Sequence, residues 1–251
     1  KDENWKEADG VHGTVQEFKD KESKIVLKRT FNKNSAGATE TLSTYYVYDD
    51  FGNLRYVIPP AVTVSSFTET DTQFKDLIYG YHYDGRKRVV EKKLPGKDWE
   101  YIVYNKLNQV VYTQDGLQRL KTPNKEWSFT KYDALGRVIL TGTMQANGTR
   151  DALQNYINGQ TVLWKSKGTA DYGYTNNTMP QTTMKVLTAS YYDDYNFSKP
   201  AGYTYVSDTL NIQGPITRSL MTGSMVKVLN SNDSLWTVNY YDKEGRVIQQ
   251  H

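Results

Sequence analysis

Carboxylate side chains are the first candidates for chemistry in this sequence, because several aspartates stand in adjacent pairs. The pairs Asp49–Asp50 and Asp193–Asp194 carry the hard oxygen ligands that Ca²⁺ prefers. A glycoside hydrolase would also need two carboxyl groups, held about 5–9.5 Å apart across a cleft. Each pair, however, falls within a short recurring segment in which one Asp is already explained as a turn residue. The aspartates therefore predict turns rather than a calcium site or a hydrolase.

The other side chains that commonly serve catalysis are few or widely spaced. The three histidines, His12, His82 and His251, are far apart in sequence and form no HExxH-type motif, so no metal site is predicted. The absence of cysteine excludes disulfides, thiol catalysis and Cys-ligated zinc. Neither a phosphate-binding Gly-rich loop before a helix nor a Gly-x-Ser-x-Gly motif is present. We therefore expect no enzymatic activity and no cofactor.

One stretch of sequence concentrates positive charge and could bind phosphate or a sulfated glycan. Its six basic residues are Arg86, Lys87, Arg88, Lys92, Lys93 and Lys97. Strand alternation would divide these charges between two faces, so a solvated sheet surface is the favoured interpretation. Because the whole chain has 31 basic and 28 acidic residues, its charge gives no general attraction for nucleic acid.

Aromatic residues make up 13% of the chain and are mostly tyrosine. Exposed rings on a sheet could stack against sugars, and Trp99, Trp127 and Trp236 are the candidates for such glycan stacking. Tyrosines that follow the recurring segment are explained by packing between strands. A carbohydrate-binding surface is therefore the alternative to a purely structural role.

The recurring segment consists of an aromatic residue, any residue, Tyr, Asp, two variable residues, Gly, Arg and then aliphatic residues. The clearest copies run over residues 131–139 and 240–248, and a ragged copy at 191–197 keeps only the front half. The positions corresponding to the aspartate are Asp20, Asp49, Asp84, Asn105, Asp133, Asp193 and Asp242. The spacing between these positions varies from 21 to 60 residues, which excludes a tight solenoid with fixed rungs.

Each position in this segment has a physical explanation. The Asp side chain accepts hydrogen bonds from turn amides, which Asn can also do, and the fourth position favours Gly because its backbone is left-handed. Ser23 and Lys87 fit that position less well, so we expect modified turns there. The predicted turn residues are Asp20, Asp49, Gly52, Asp84, Asn105, Asn108, Asp133, Gly136, Asp242 and Gly245. Since strand-forming residues flank each turn, each copy predicts a β-hairpin.

Stacked hairpins predict a mainly β fold, an extended antiparallel sheet with short helical and loop insertions. Helices are expected near residues 70–77 and 149–159. We expect a hairpin sheet over 1–145, an irregular insertion with one short helix over 146–190, and a resumed sheet over 191–251, together forming one continuous scaffold. No apolar run is long enough to span a membrane. The chain also lacks an N-terminal secretory signal and stops after a predicted strand, which indicates a fragment.

The segments at residues 83–96, 113–116 and 131–137 make the sequence similar to the tyrosine-aspartate (YD) repeats of Rhs-family proteins. This family includes bacterial Rhs elements, wall-associated proteins, Tc-toxin cocoon subunits and animal teneurins. The resemblance implies a long β-sheet strip that can coil into a hollow shell and sometimes encloses a C-terminal toxin, as in polymorphic toxins. It also implies a secreted or cell-surface location in a bacterium. The expected partners are other segments of the same polypeptide and, for the alternative function, surface glycans, with no nucleic acid and no membrane insertion.

Overall fold

The computed structural model describes residues 5–181, 184–207 and 212–251. Within these ranges it contains one antiparallel sheet of 14 strands that follow one another in sequence order. Three short α-helices accompany the sheet. The predicted mainly β fold is therefore confirmed. None of the helices in the described ranges is long and apolar enough to span a membrane.

The chain divides into two compact units, residues 1–101 and 102–251. The N-terminal unit opens with a 3₁₀ helix at Glu7–Asp9 and contains α1 at Thr72–Leu77. Its strands are β1 (Thr14–Lys19), β2 (Ile25–Lys33), β3 (Thr39–Tyr48), β4 (Leu54–Ile58), β5 (Tyr79–Tyr83) and β6 (Val89–Lys93). Strand β7 (Glu100–Tyr104) includes the point of division. The expected division into residues 1–145, 146–190 and 191–251 stays a prediction.

The C-terminal unit contains α2 (Gly116–Leu120) and α3 (Arg150–Asn158). Its strands are β8 (Val110–Gln114), β9 (Glu126–Tyr132), β10 (Val138–Gln145), β11 (Lys167–Ala170), β12 (Met184–Tyr192), β13 (Met221–Lys227), β14 (Ser234–Tyr241) and β15 (Val247–Gln250). Strand β11 lies outside the main sheet, so β10 pairs directly with β12. The connections before and after β12 are long, and both contribute aromatic residues that pack against this strand.

The three helices differ in whether a side chain caps their first turn. Thr149 accepts a hydrogen bond from the Ala152 N–H and starts α3, which ends at Gly159 as the sequence predicts. Asp71 precedes α1, but its carboxylate accepts a hydrogen bond from Thr68 instead of capping the helix. Helix α2 was not predicted from the sequence, although Asp115 and Gln118 form a reciprocal capping box at its start.

The core of each unit depends on segments that cover one face of the sheet. In the N-terminal unit, Phe67 and Phe74 from the β4–β5 connection pack against the Tyr56 ring. In the C-terminal unit, Tyr191 stacks between Phe197 and Trp236. The connections between strands therefore supply part of the aromatic packing, through Phe67, Phe74 and Phe197, while Trp236 comes from strand β14.

Candidate functional site

The turns form the most regular chemical feature of the molecule. In seven turns, the N–H of the first residue donates to the carbonyl of the fifth, and the N–H of the fourth donates to the carbonyl of the first. At Asp133 these two hydrogen bonds, from Asp133 N to Arg137 O and from Gly136 N to Asp133 O, both measure 3.0 Å. The first residues of the seven turns are Asp20, Asn34, Asp49, Asp84, Asn105, Asp133 and Asp242.

The side chain of the first residue completes each turn. One oxygen of Asp133 accepts the N–H groups of Leu135 and Arg137, each at 2.9 Å. Asn105 uses its amide oxygen in the same way, accepting from Leu107 at 2.9 Å and Gln109 at 3.0 Å. The side-chain oxygen therefore closes the turn whether or not it carries a charge.

The fourth residue of each of these turns has a left-handed backbone. The φ angles are 78° at Gly136, 78° at Gly245 and 81° at Gly37. Ser23 and Lys87 adopt 66° and 60° and keep the same backbone hydrogen bonds. The expectation of modified turns at these two residues is therefore wrong. The side-chain and backbone bonds of Asp20 and Asp84 hold the turn even without glycine.

Three turns add an ion pair to the fifth residue. The second carboxylate oxygen accepts the Arg Nε–H within the pairs Asp84–Arg88, Asp133–Arg137 and Asp242–Arg246, at 2.8, 2.6 and 2.6 Å. Burial acts to raise the pKa of Asp84, but the hydrogen bonds from Arg88 and the turn amides outweigh it and lower the pKa. The arginine that follows the Gly position in the repeat thus neutralises the turn carboxylate.

The tyrosine that precedes the turn connects neighbouring hairpins. At four positions its hydroxyl donates to the carbonyl of the residue five positions after the start of the preceding turn, whereas Tyr241 donates to the Met221 carbonyl. The distances are 3.0 Å from Tyr48 to Ile25, 2.9 Å from Tyr83 to Leu54, 2.8 Å from Tyr132 to Val110 and 3.4 Å from Tyr192 to Val138. At Tyr48, Tyr83 and Tyr132 the dipeptide therefore closes a turn and bonds to the previous hairpin, whereas Tyr192 makes the bond without a turn of its own.

Asp193 does not form the predicted hairpin turn. Its N–H donates to Leu220, and its own φ is 75°. Its two carboxylate oxygens accept from the Arg137 guanidinium at 3.0 and 2.6 Å, and Ser219 N–H adds a third bond at 2.7 Å. These contacts, the Arg137 hydrogen bond foremost, lower the pKa of Asp193 to about 2. A long connection follows Asp193 in place of a second hairpin strand. The Tyr-Asp part of the repeat is present here, but its carboxylate forms an ion pair with Arg137 instead of closing a turn.

The three tryptophans considered for glycan stacking belong to different strands or their ends, because Trp99 directly precedes β7, Trp127 lies on β9 and Trp236 lies on β14. Trp127 is fully buried and presents no ring face to a sugar. Trp99 lies half-buried against His82 and Phe74, and Trp236 lies half-buried against Tyr191. Among the described residues, no three His, Asp or Glu side chains are arranged to hold a metal ion.

Lys93 departs from the solvated basic surface that the sequence suggests. Its side chain is buried, and its Nζ donates to the carbonyls of Phe74 at 2.9 Å, Lys75 at 2.6 Å and Ile78 at 3.2 Å. Burial lowers the pKa of this lysine. Lys93 thus satisfies carbonyl groups at the C-terminal end of α1, which is the physical reason for its burial.

Sequence reasoning missed three glycines within strands that each accommodate an aromatic ring. A side chain at Gly80, Gly142 or Gly223 would collide with the ring of Trp99, Phe129 or Phe197, respectively. A glycine inside a strand pattern signals this kind of close approach. The turn at Asn34 was also missed, although its Asn-x-x-Gly spacing carries the same turn signal.

Sequence reasoning also missed a buried cluster of two lysines and one aspartate in the C-terminal unit. Lys165 Nζ lies 2.6 Å from Asp171, and Lys131 Nζ lies 3.6 Å from the same carboxylate oxygen. Lys131 also donates to the Pro180 carbonyl at 2.6 Å. Burial, helped by the charge of Lys165, lowers the pKa of Lys131 to about 7. The cluster anchors the connection between α3 and β12 to the sheet.

Comparisons with known proteins complete this description. No protein-family model matches the sequence, and no curated protein matches it. The chain is similar to one in the crystal structure of TcdB2-TccC3 without its hypervariable C-terminal region, with a TM-score of 0.40 and 12% identity over 93% of this chain and 13% of that chain. For TcdB2-TccC3-TEV the TM-score is 0.42 and the identity is 15%, over 93% of this chain and 10% of that chain. For the Photorhabdus luminescens Tc holotoxin pore the TM-score is 0.39 and the identity is 12%, over 94% of this chain and 12% of that chain. This chain therefore spans about a tenth of the length of those proteins.

Proposed function

We propose that this chain is a non-catalytic structural segment of a large secreted or cell-surface protein of the Rhs type. In this proposal its hairpins build a β-sheet scaffold that encloses or presents other segments of the same polypeptide. The YD-repeat resemblance of the sequence supplies the family. The internal use of the turn carboxylates is the single observation that carries the proposal.

A carboxylate that binds a substrate or an ion needs oxygen lone pairs that are not already engaged. Asp84 Oδ1 accepts two backbone N–H groups, from Arg86 at 2.9 Å and Arg88 at 3.0 Å. Its Oδ2 accepts the Arg88 side chain at 2.8 Å. Asn34 and Asn105 occupy the same position in other turns without a charge. These contacts support turn closure as the role of the repeated acidic residue.

The tyrosine hydrogen bonds support a scaffold that grows by repetition. Each such tyrosine bonds to the preceding hairpin, so every new hairpin adds one defined connection to the sheet. Individual hairpins are marginally stable in water, and pairing with further strands provides the missing stabilisation. A repeated local contact of this kind suits a long strip of sheet.

The proposal is tested by separating the charge of a turn carboxylate from its acceptor oxygen. Asp84→Asn keeps the oxygen that closes the turn and loses only the partly exposed ion pair with Arg88, so we expect it to lower the free energy of unfolding by less than about 1 kcal/mol. Asp84→Ala loses both backbone acceptor contacts, and we expect a loss of about 1–2 kcal/mol in the free energy of unfolding. Asn105→Asp, which adds a charge at an equivalent turn, is the matched control. A rise in melting temperature with CaCl₂ that Asp84→Asn abolishes would contradict the proposal.

The enclosing or presenting role requires a longer polypeptide that carries these residues. Trypsin digestion of that polypeptide, followed by mass spectrometry, reports which other segments are protected. We expect their protection to disappear at the temperature at which this sheet unfolds. Protection that persists after the sheet has unfolded would assign the enclosing role to another part of the protein.

A further inference from the structure

A histidine in the N-terminal unit lies between two carboxylates. His82, on β5, places its Nδ1 2.6 Å from Glu91 Oε2 on β6. Its Nε2 lies 3.1 Å from Glu69 Oε1, which belongs to the connection between β4 and α1. A neutral imidazole carries only one ring N–H, whereas an imidazolium carries two. Only the protonated ring can therefore donate to both carboxylates.

Glu69 is the attachment point of residues 59–71, which we call the strap. Its Oε1 also accepts hydrogen bonds from Arg55 Nη2 at 2.7 Å and Tyr56 Oη at 2.6 Å, both on β4. The strap carries Phe67, whose ring packs 5.3 Å from that of Tyr56. The contacts of Glu69 therefore keep an aromatic ring of the strap against the sheet.

We propose that protonation of His82 holds the strap against strands β4 to β6, and that loss of this proton loosens the strap. The charged and titratable groups facing the ring are Glu91 from β6, Glu69 from the strap, and Arg55 and Tyr56 from β4. Loss of the proton leaves one ring nitrogen lone pair directed at a carboxylate, which replaces an attraction with a repulsion. The proposal concerns regulation and does not depend on the proposed scaffold function.

The electrostatic surroundings agree with this geometry. Burial acts to lower the pKa of His82, but the hydrogen bonds to Glu91 and Glu69 outweigh burial and the nearby Arg55, so the pKa is raised above 6.5. The folded chain then binds the proton more tightly than the unfolded chain. The contribution of this site is complete below pH 6.5 and is lost as pH rises through the higher pKa of the folded state.

The loosening is expected to be local. The strap keeps a second attachment, because the Thr63 N–H donates to Gln73 Oε1 at 2.9 Å and Gln73 Nε2 donates to Thr63 Oγ1 at 2.8 Å. Lys93 continues to hold the end of α1 through its carbonyl contacts. Release of Glu69 from His82 therefore affects the strap before it affects the strands.

Two measurements on the 251-residue chain test the proposal. The chain has three histidines, so their imidazole protons can be titrated by NMR and assigned with His12→Gln and His251→Gln. We expect a His82 pKa above 6.5. Backbone amide exchange, expressed as protection factors, should show about tenfold lower protection of the strap at pH 9 than at pH 6, with amides of β2 as the internal reference.

The variants decide whether His82 causes the change. His82→Gln should remove the pH dependence of strap protection, and His12→Gln should retain it. Glu69→Gln keeps an acceptor for Arg55 and Tyr56 but removes the charge, so it should lower the His82 pKa and reduce the pH dependence. A His82 pKa at or below 6.5, or equal strap protection at pH 6 and pH 9, would overturn the proposal. If His82→Gln does not fold, an unchanged His82 pKa in Glu69→Gln would overturn it equally.

Discussion

The first three strands and the strands from β9 to β14 bury their side chains very differently, although the same kind of turn joins β1 to β2 and β9 to β10. On β1 and β3, Phe18 and Tyr45 remain 42% and 47% exposed. On β9 and β12, Phe129 and Tyr191 are only 2% and 4% exposed. Turn bonds at Asp20 and Asp133 nevertheless have the same pattern. Hairpin formation in this chain is therefore independent of whether a layer covers the sheet.

The source of the difference is the length of the connections between strands. Strands β1 to β3 are joined by turns that are too short to lie over either face. The connections on either side of β12 are long, and Tyr174 and Phe197 from them stack on Tyr191. The turns thus determine the path of the chain, while the insertions create the apolar core.

The sharpest test of this difference removes one ring from each region. Tyr191→Ala should lower the free energy of unfolding by about 3–5 kcal/mol, because three stacked rings lose a common partner. Tyr45→Ala, at a solvent-exposed position, should lower the free energy of unfolding by less than about 1 kcal/mol. Urea denaturation followed by circular dichroism measures both. Equal losses would show that the first strands have a core of their own.

A second test adds volume instead of removing it. Gly142→Val should cost about 3 kcal/mol, since its Cβ would overlap the Lys185 carbonyl oxygen and lie 2.8 Å from the Phe129 ring. Ser43→Val on β3 is the matched control and should change stability by less than about 0.5 kcal/mol. A tolerated valine at Gly142 would mean that the packing of Phe129 is not essential to the C-terminal unit.

The buried Lys131 that anchors the connection between α3 and β12 predicts a specific pH dependence of the free energy of unfolding. Lys131 has a folded-state pKa lowered from 10.5 to about 7, so between these values the unfolded chain binds more protons and stability rises with pH. We expect a gain of about 2 kcal/mol from pH 7 to pH 9 attributable to this site. It is measured as the difference between the parent and Lys131→Met. Parallel pH profiles of the two proteins would exclude the assignment. The His82 site of the N-terminal unit should respond in the opposite direction.

Turn substitutions should affect both regions alike. Gly136→Val, Gly245→Val and Gly37→Val each place a β-branched residue at a φ of 78°, 78° and 81°, and each should cost about 1–2 kcal/mol. Thermal unfolding monitored by circular dichroism measures the effect. An unchanged melting temperature for Gly37→Val alone would show that the first strands do not depend on their turns.

The smallest expected effect concerns the bonds between hairpins. Tyr48→Phe and Tyr132→Phe each remove one hydroxyl that donates to a backbone carbonyl, at 3.0 and 2.8 Å. Each substitution should cost about 1 kcal/mol while preserving the ring. Chemical denaturation should give similar losses for both. A much larger loss for Tyr132→Phe would indicate that burial strengthens this bond in the C-terminal unit.

Several features that the sequence left undetected depend on residues far along the chain. Asp193 matches the front of the repeat, yet Arg137 and Ser219 engage its carboxylate in the folded chain. Lys131 lies on the buried face of β9, and its burial is explained by distant partners that include the carbonyl of Pro180 and the carboxylate of Asp171. No local pattern reports such partners.

The sequence by itself determined the repeat hairpins, because every bond that closes one of the seven repeat turns joins residues at most four positions apart. It also determined the mainly β character, since aromatic and β-branched residues flank each turn. Only the tertiary structure decided which face of the sheet is buried from solvent. Burial of Lys93 and Lys131 depends on distant connections folding back over the strands, and the free energy of that packing is absent from any short stretch of sequence.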